Sequence, residues 1–537
     1  MEYHDNQTGP PSPAKGPHAM SIEDPPPPSS YQYRGKPRLE RYLGFLPMLA
    51  FAATLQASWE SLGSSLQAGL LNGGPVAIVY GMLLSFAGSL CLTLSMAEMA
   101  SINPVAGAQY HWTYELAPFA PRFLSFIQGW ITVIAWWANV AVGPYLVGTE
   151  IQGLLVQNYP SYNPEGWHGT LLVFAVLFLP LLVNIFARRL LAPVEVLSGV
   201  IHILSYPAIM VVMIVLGQRH TNDFVWTEFV TDQSGWHDKG VIYSIGLLTA
   251  AFTLSSKSPL PIQHLTKMLI FETLQTGFDG VIHMSEEVND APRAVPRSMV
   301  WGLCVNAVLA FGFAIALLYT MGDFQKALDS PTGYPIIEIF YAQTGSKAAS
   351  SAMMLPILLS GCYSSFNVLA SVSRLTWAFA RDEGFPFSSF FAHVSPRYKI
   401  PLRSLFLVTT ITVLIALINI GSSAAFNAVL SLDTLALYIS YLVPVLFMLI
   451  KRVRFSSEIR YGPFNLGRYG IPINAFAMAY GTYITIFLPW PETQPVTASG
   501  MNYGAPVFGV ALLFAVIDWF VRGHKKWNGP TVMASPK

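Results

Sequence analysis

The chain has 537 residues, of which 53% are hydrophobic and only 11% charged, with 30 Lys and Arg against 29 Asp and Glu. Soluble domains carry roughly 25% charged residues, so water cannot solvate this surface and a lipid bilayer can. The near balance of charge excludes a nucleic-acid partner. Cys91, Cys304 and Cys362 all sit in apolar runs, which argues against a disulfide framework or a thiolate metal site.

Residues 1–38 are polar and proline-rich ("PSPAKGPHAMSIEDPPPPSS") and read as a disordered tail without the apolar core of a signal peptide. A helix needs roughly 20 apolar residues to cross about 30 Å of hydrocarbon. Candidate spans follow at 43–66, 75–100, 123–153, 169–187, 193–216, 241–287 (interrupted), 298–320, 348–380, 402–420, 425–450, 471–490 and 504–521. The expected fold is therefore an all-α polytopic membrane protein of about twelve transmembrane helices. Residues 39–521 form the membrane domain and 522–537 a second, cytosolic tail. A cytosolic N-terminus places most of the Lys and Arg inside and leaves Arg219, Lys239, Lys326 and Lys347 outside. That asymmetry puts both termini in the cytosol.

Two spans are polar where lipid would demand leucine. In the first, "LQASWESLGSSLQAG" places Ser58, Glu60, Ser61, Gly63, Ser64 and Ser65 at membrane depth. Irregular polar backbone is tolerated there only beside a cavity or inside protein; the alternative is that 61–74 is an outer loop after a short span. The sixth span runs apolar from Val241 to Leu254 and resumes at Phe278, with Lys257, Pro259, Pro261, His264 and Lys267 between. Two lysines near mid-bilayer cost about 2.5–3.5 kcal/mol each.

Five separated blocks carry a resemblance: "SWES" at 58–61, "AEMASINPVAGAQYHW" at 97–112, "GWITVIAWWANVA" at 129–141, "FDGVIHMSEE" at 278–287 and "APRAVPRSM" at 291–299. From about Glu40 to Trp519 the chain resembles the fungal amino acid/choline/GABA permeases of the amino acid–polyamine–organocation superfamily. The resemblance implies a five-plus-five inverted repeat with helices one and six broken near the midplane, plus two C-terminal helices. Half-helix N-termini then face a substrate carboxylate, and freed carbonyls face an amine or cation.

The family pattern runs almost directly from "GLLTAAFTL" into "FDGVIHMSEE", so the interval between is an insertion at the expected substrate site. A new loop is one explanation, poorly placed at that site; a retained intron is the other, and the residues permit it in detail. Ser256-Lys257-Ser258 permits a GTAAGT donor, Leu265-Thr266 a branch point and Thr276-Gly277 a CAG acceptor, and excision preserves frame. Residues 257–276 are then absent from the working protein, and the rejoined helix reads "GLLTAAFTLS(S/N)FDGVIHMSEEV".

Candidate substrate contacts are Ser58, Trp59, Glu60, Ser61 and Gly63 on span one, and Trp136 and Asn139 on span three. Phe252, Thr253, Leu254, Phe278, Asp279 and Gly280 flank the break of span six, and Asn367 lies on span eight. Aromatic faces suit cationic amines, although aromatics in membrane helices commonly serve packing. Asn367, with Ser364 and Ser365, reads equally as glue between helices. Asp279 reads as a substrate or ion contact or as a helix N-cap. His202, Asp279 and Asp433 are candidates for proton coupling, since intramembrane ionisable groups relay protons in transporters; a His bonded to a neighbouring carbonyl is the structural alternative for His202. Glu286 and Glu287, followed by Arg293 and Arg297, read as ion pairs of a cytosolic gate or loop. No G-x-S-x-G, H-E-x-x-H or phosphate loop is present, so no catalytic residues, cofactor or metal are expected and an enzyme is excluded. The resemblance implies a plasma-membrane secondary permease importing an amino acid or GABA by alternating access, driven by protons. The alternatives are a choline or quaternary-amine transporter, and a transport-inactive nutrient sensor on the same fold.

Overall fold

The computed structural model describes residues 39–186, 190–251, 277–498 and 500–530. The expected tail at 1–38, Phe252, Thr253, Leu254 and the interval 257–276 lie outside the described residues, as does the end of the chain beyond Pro530.

The described chain is helical. Span one divides into α1 (Phe45–Gln56) and α2 (Ser58–Leu71). Then follow α3 (Gly74–Ile102), the short α4 (Gln109–Leu116), α5 (Pro121–Asn158), α6 (Gly166–Phe186), α7 (Leu191–Leu216) and α8 (Asn222–Thr227). Span six is represented by α9 (Lys239–Ala251) and the single turn α10 (Gly280–His283). The second half comprises α11 (Ala291–Thr320), α12 (Phe324–Leu328), α13 (Pro335–Thr344), α14 (Lys347–Arg381), α15 (Ser388–Phe391), α16 (Leu402–Gly421), α17 (Ser423–Arg454), α18 (Gly470–Phe487) and α19 (Gly504–Asp518). Among the described residues nine helices are long and apolar enough to cross a membrane. The other three expected spans coincide with shorter or divided helices: α1 with α2, α9 with α10, and α18.

The apolar residues sort by depth in the bundle. Ile203, Leu204, Val211 and Val215 on α7, and Val510, Leu513 and Ile517 on α19, are exposed and form lipid-facing stripes. Phe313 and Leu317 on α11 and Leu369, Val372 and Leu375 on α14 are fully buried in a continuous core. Within that core α3 packs on α11, α5 on both α14 and α17, and α1 on α11 and α7. The polar residues of the candidate site lie among α1, α2, α4, α5, α7, α11, α14 and α17 of this bundle. The short α12 and α13 pack on α2, and the space beside Gly63 is filled by Ile336 of α13 and Phe313 of α11.

Candidate functional site

The break in span one is one residue wide. Ala57 adopts φ 41°, ψ 50°, a left-handed conformation that costs a non-glycine residue of order 1–3 kcal/mol. Its own N–H still bonds the Ala53 carbonyl at 3.0 Å, but the next amide leaves the helix and donates to Asn306 Oδ1 of α11 at 3.4 Å. The Ser58 hydroxyl lies 2.6 Å from the same oxygen and 2.9 Å from the Asn306 carbonyl. Asn306 Nδ2 donates back to the Ala53 carbonyl at 3.0 Å. One asparagine thus satisfies groups on both sides of the break, where an unmet backbone group in hydrocarbon costs several kcal/mol. Nearby carbonyls are capped too: Ser61 Oγ donates to Ala57 O at 2.6 Å and Ser364 Oγ to Leu55 O at 3.1 Å.

Beyond the break the structure brings together two residues singled out for different roles. Glu60 Oε1 lies 2.8 Å from His202 Nδ1, both buried, joining α2 to α7. His202 therefore meets a carboxylate through its side chain; its carbonyl accepts from Trp59 Nε1 at 3.3 Å. The Trp59 ring turns toward α7 and α11, with centroids 6.0 Å from Tyr206 and 5.3 Å from Phe313.

A second cluster surrounds Asp279. Tyr441 OH of α17 donates to Oδ1 at 2.6 Å, Gln109 Nε2 of α4 donates to Oδ2 at 2.6 Å, and Trp136 Nε1 of α5 lies 3.3 Å from Oδ2. His283 Nε2 stands 3.5 Å away. The helix-cap reading of Asp279 does not hold: it precedes α10, but it has helical dihedrals and its carboxylate makes no cap bond. Its oxygens are taken by side chains from three other helices. Phe278 lies beside it with its ring centroid 5.0 Å from Tyr441. Gly280 packs closely: a Cβ there would stand 2.4 Å from Leu55 Cδ2 at the end of α1 and would oblige that side chain to shift.

A third cluster pairs Asn139 Nδ2 with Asp433 Oδ2 at 3.0 Å. Asn139, Gly143, Leu55, Ser364 and Ser365 line a cavity of about 20 Å³ between α1, α5 and α14. That volume holds about one water and no amino acid. Asn367 is not among its walls; its Nδ2 donates to Thr54 Oγ1 at 3.0 Å, next to the buried Glu195 of α7.

At the arginine-rich end the acidic pair of "HMSEE" forms the expected ion pairs, with partners on a helix distant in sequence. Glu286 accepts from Arg381 at 2.8 Å and Glu287 from Arg374 at 2.8 Å, both arginines lying on α14 and fully buried. Arg293 instead pairs with Asp290 at the surface, 3.3 Å away. The reason is register: α11 begins only four residues after Glu287 and carries Arg293 outward, whereas α14 lies directly against the 280–287 segment. Backbone bonds from Tyr42 and Leu43 to the Glu287 carbonyl, at 3.0 and 3.1 Å, tie the approach to α1 into the same seal.

Asn306, Gln109, Tyr441 and Glu195 escaped the sequence reading, as did Glu150, which accepts from Ser64 of α2. The signal available was a lone polar residue in an apolar span; Gln109 stood inside a quoted block without being singled out. Among the described residues no three His, Cys, Asp or Glu converge as a metal site would require.

Comparison with known proteins assigns this architecture. Residues 43–513 match the family described as amino acid permease. The chain is similar to the choline transporter of Saccharomyces cerevisiae, with 28% identity over 503 residues covering 92% of this chain and 84% of the relative. It is 27% identical to amino-acid permease 2 of Neurospora crassa over 492 residues, covering 90% and 84% of the two chains. The GABA-specific permease of S. cerevisiae is 27% identical over 512 residues, covering 93% and 85%. With a bundle of membrane-spanning helices and a family match across nearly all of it, this chain belongs to the amino acid permease family, and is a transporter rather than an enzyme.

Proposed function

We propose that this protein is a secondary active permease that imports amino acids or GABA by alternating access, coupled to protons. The observation that carries the reading is the left-handed break at Ala57, buried in span one and followed within one turn by the Glu60–His202 contact. A broken membrane helix with an ionisable pair beside it is the arrangement in which transporters bind solute and coupling ion. Histidine is the side chain whose ordinary titration falls near neutrality, and here it faces a carboxylate across two helices that the cycle must move. The five-plus-five inverted repeat, the twelve-span count and the cytosolic placement of both termini belong to this reading. So do the substrate contacts proposed from Ser58 to Gly63, at Trp136, Asn139, Asn367 and from Phe278 to Gly280, and coupling through His202, Asp279 and Asp433. The plasma membrane is the proposed location.

Choline is the second reading, favoured by the choline transporter among the relatives and by the cluster of Trp136, Phe278 and Tyr441 around the Asp279 carboxylate. Aromatic faces beside one acid suit a quaternary amine once these rings turn from the carboxylate. Labelled uptake in cells, with a competition panel and an uncoupler, decides. Saturable amino acid or GABA uptake abolished by the uncoupler supports the leading reading, and competition by choline alone promotes the second. No uptake of any amine by surface-expressed protein points to a nutrient sensor. Residues 257–276 remain proposed as a retained intron. Sequencing processed message across codons 245–285 tests this: message lacking the interval establishes the spliced form, and message that retains it sinks the idea.

A further inference from the structure

The last membrane helix continues past the membrane domain. After α19 a π-turn, Trp519–Gly523, and a final turn α20 (His524–Lys526) carry the chain across the arginine-rich end. There Trp527 turns inward and is fully buried. Its indole Nε1 donates to Ser125 Oγ at 3.2 Å, and its ring centroid lies 5.4 Å from Phe379, 5.6 Å from Phe126 and 5.8 Å from Tyr110. Arg122 donates to the Trp527 carbonyl through Nε at 3.0 Å and Nη2 at 2.5 Å. This segment lies beyond residues 43–513, which match the family.

What Trp527 rests on connects to both the seal and the site. Tyr110, one wall of its pocket, donates through its hydroxyl to Asp382 at 2.8 Å. Asp382 also lies 2.9 Å from His111 Nε2 and 3.5 Å from Arg381 Nε. Arg381 holds Glu286. Gln109, the neighbour of Tyr110 on α4, donates to Asp279. The helix α4 is thus placed between the Trp527 ring on one side and the two acidic residues of the 279–286 segment on the other.

We propose that Trp527 is a positioning residue of the transport cycle: it braces α4 from behind, holding Gln109 on Asp279 and, through Tyr110 and Asp382, Arg381 on Glu286. The C-terminal segment thereby stabilises the state closed toward the cytosol. An indole is the largest side chain that can fill such a pocket, and its loss leaves a void into which Tyr110 and Phe379 relax. The donors on α4 then lose their fixed distance to the moving segment, and the equilibrium shifts toward the inward-open state. This inference rests on the alternating-access reading, but its test needs no transported solute.

The full-length chain in membrane vesicles, with its three native cysteines replaced by serine, carries Ser371→Cys as reporter. Ser371 Oγ donates to the Gly280 carbonyl at 3.0 Å and is buried behind the seal. Its rate of reaction with N-ethylmaleimide measures how often the seal opens. Trp527→Ala is expected to accelerate labelling roughly three- to thirtyfold, Arg122→Ala less, and Trp527→Phe, which keeps a ring in the pocket, is expected to restore most of the parental rate. Equal labelling in Trp527→Ala and its parent, both folded, overturns the proposal. So does parallel acceleration at native Cys91, Cys304 and Cys362 in the chain without the reporter, which would mark Trp527 as a general stabiliser. A protein that labels as expected yet takes up no amine leaves the brace standing and removes the permease reading instead.

Discussion

The two ends of the 279–287 segment use acids in opposite ways. Asp279 is held by an amide, an indole and a phenol, all neutral donors, with His283 near. Two turns later Glu286 and Glu287 meet Arg381 and Arg374, side chains that never lose their charge. The Glu60–His202 contact resembles the first kind, because one acid there meets an imidazole rather than a guanidinium. The lesson is a division of labour along one short stretch of chain. On the proposed reading, groups at membrane depth exchange partners or protons with a solute, whereas those at the seal form pairs that hold until the bundle itself moves.

Breaking the seal should have the largest effect. Arg374→Ala leaves Glu287 buried without its cation and should destabilise the folded protein by about 3–5 kcal/mol, read as a lowered melting temperature in detergent. If stability is unchanged, the Arg374–Glu287 pair does not hold the seal together. Removing the charge at the site should act on function more than on folding. Asp279→Asn is expected to cut uptake by about 30-fold or more, as loss of one buried charged partner does, with surface expression retained. A variant that transports normally would place the amine elsewhere. His202→Gln sharpens the comparison: uptake should fall by roughly tenfold, about 1.4 kcal/mol, and lose its sensitivity to an uncoupler. An unaltered response to the uncoupler would make Glu60–His202 a structural contact of the same kind as the seal.

The smallest effect is expected outside both regions. Lys326 pairs with Glu338 at 3.0 Å on the surface, and that carboxylate raises the Lys326 ammonium above its ordinary range. The pair's contribution is complete below the unfolded lysine value and is lost as pH rises through the folded one. Solvent screens it, so Lys326→Ala should change stability by at most about 1 kcal/mol, measurable by the same melting assay.

Much of this was legible in the chain itself. Composition alone required a bilayer, and the serines around Glu60 marked the span that breaks. Asp279, Trp136, Asn139 and Asp433 were each visible as polar or aromatic residues where lipid asks for leucine. Their pairings were not. Asn306 meets Ser58 from 248 positions away and Tyr441 meets Asp279 from 162, distances at which a sequence carries no register. That Glu286 and Glu287 form ion pairs was legible, but their partners were not: Arg381 and Arg374 are near in space and far in sequence. The C-terminal residues after 521, read as a tail by their charge, place Trp527 in the interior because a pocket of Tyr110, Phe126 and Phe379 exists only once α4, α5 and α14 are packed.

By itself, then, the sequence determined that this is a helical membrane protein, which spans are apolar, and which few residues at membrane depth are ionisable, because hydrocarbon tolerates polar groups only at a cost written into composition. Which acid meets which donor was decided by tertiary packing alone. A buried carboxylate takes the partner that the helix crossing brings within 3 Å, and that crossing depends on the whole bundle rather than on neighbouring residues.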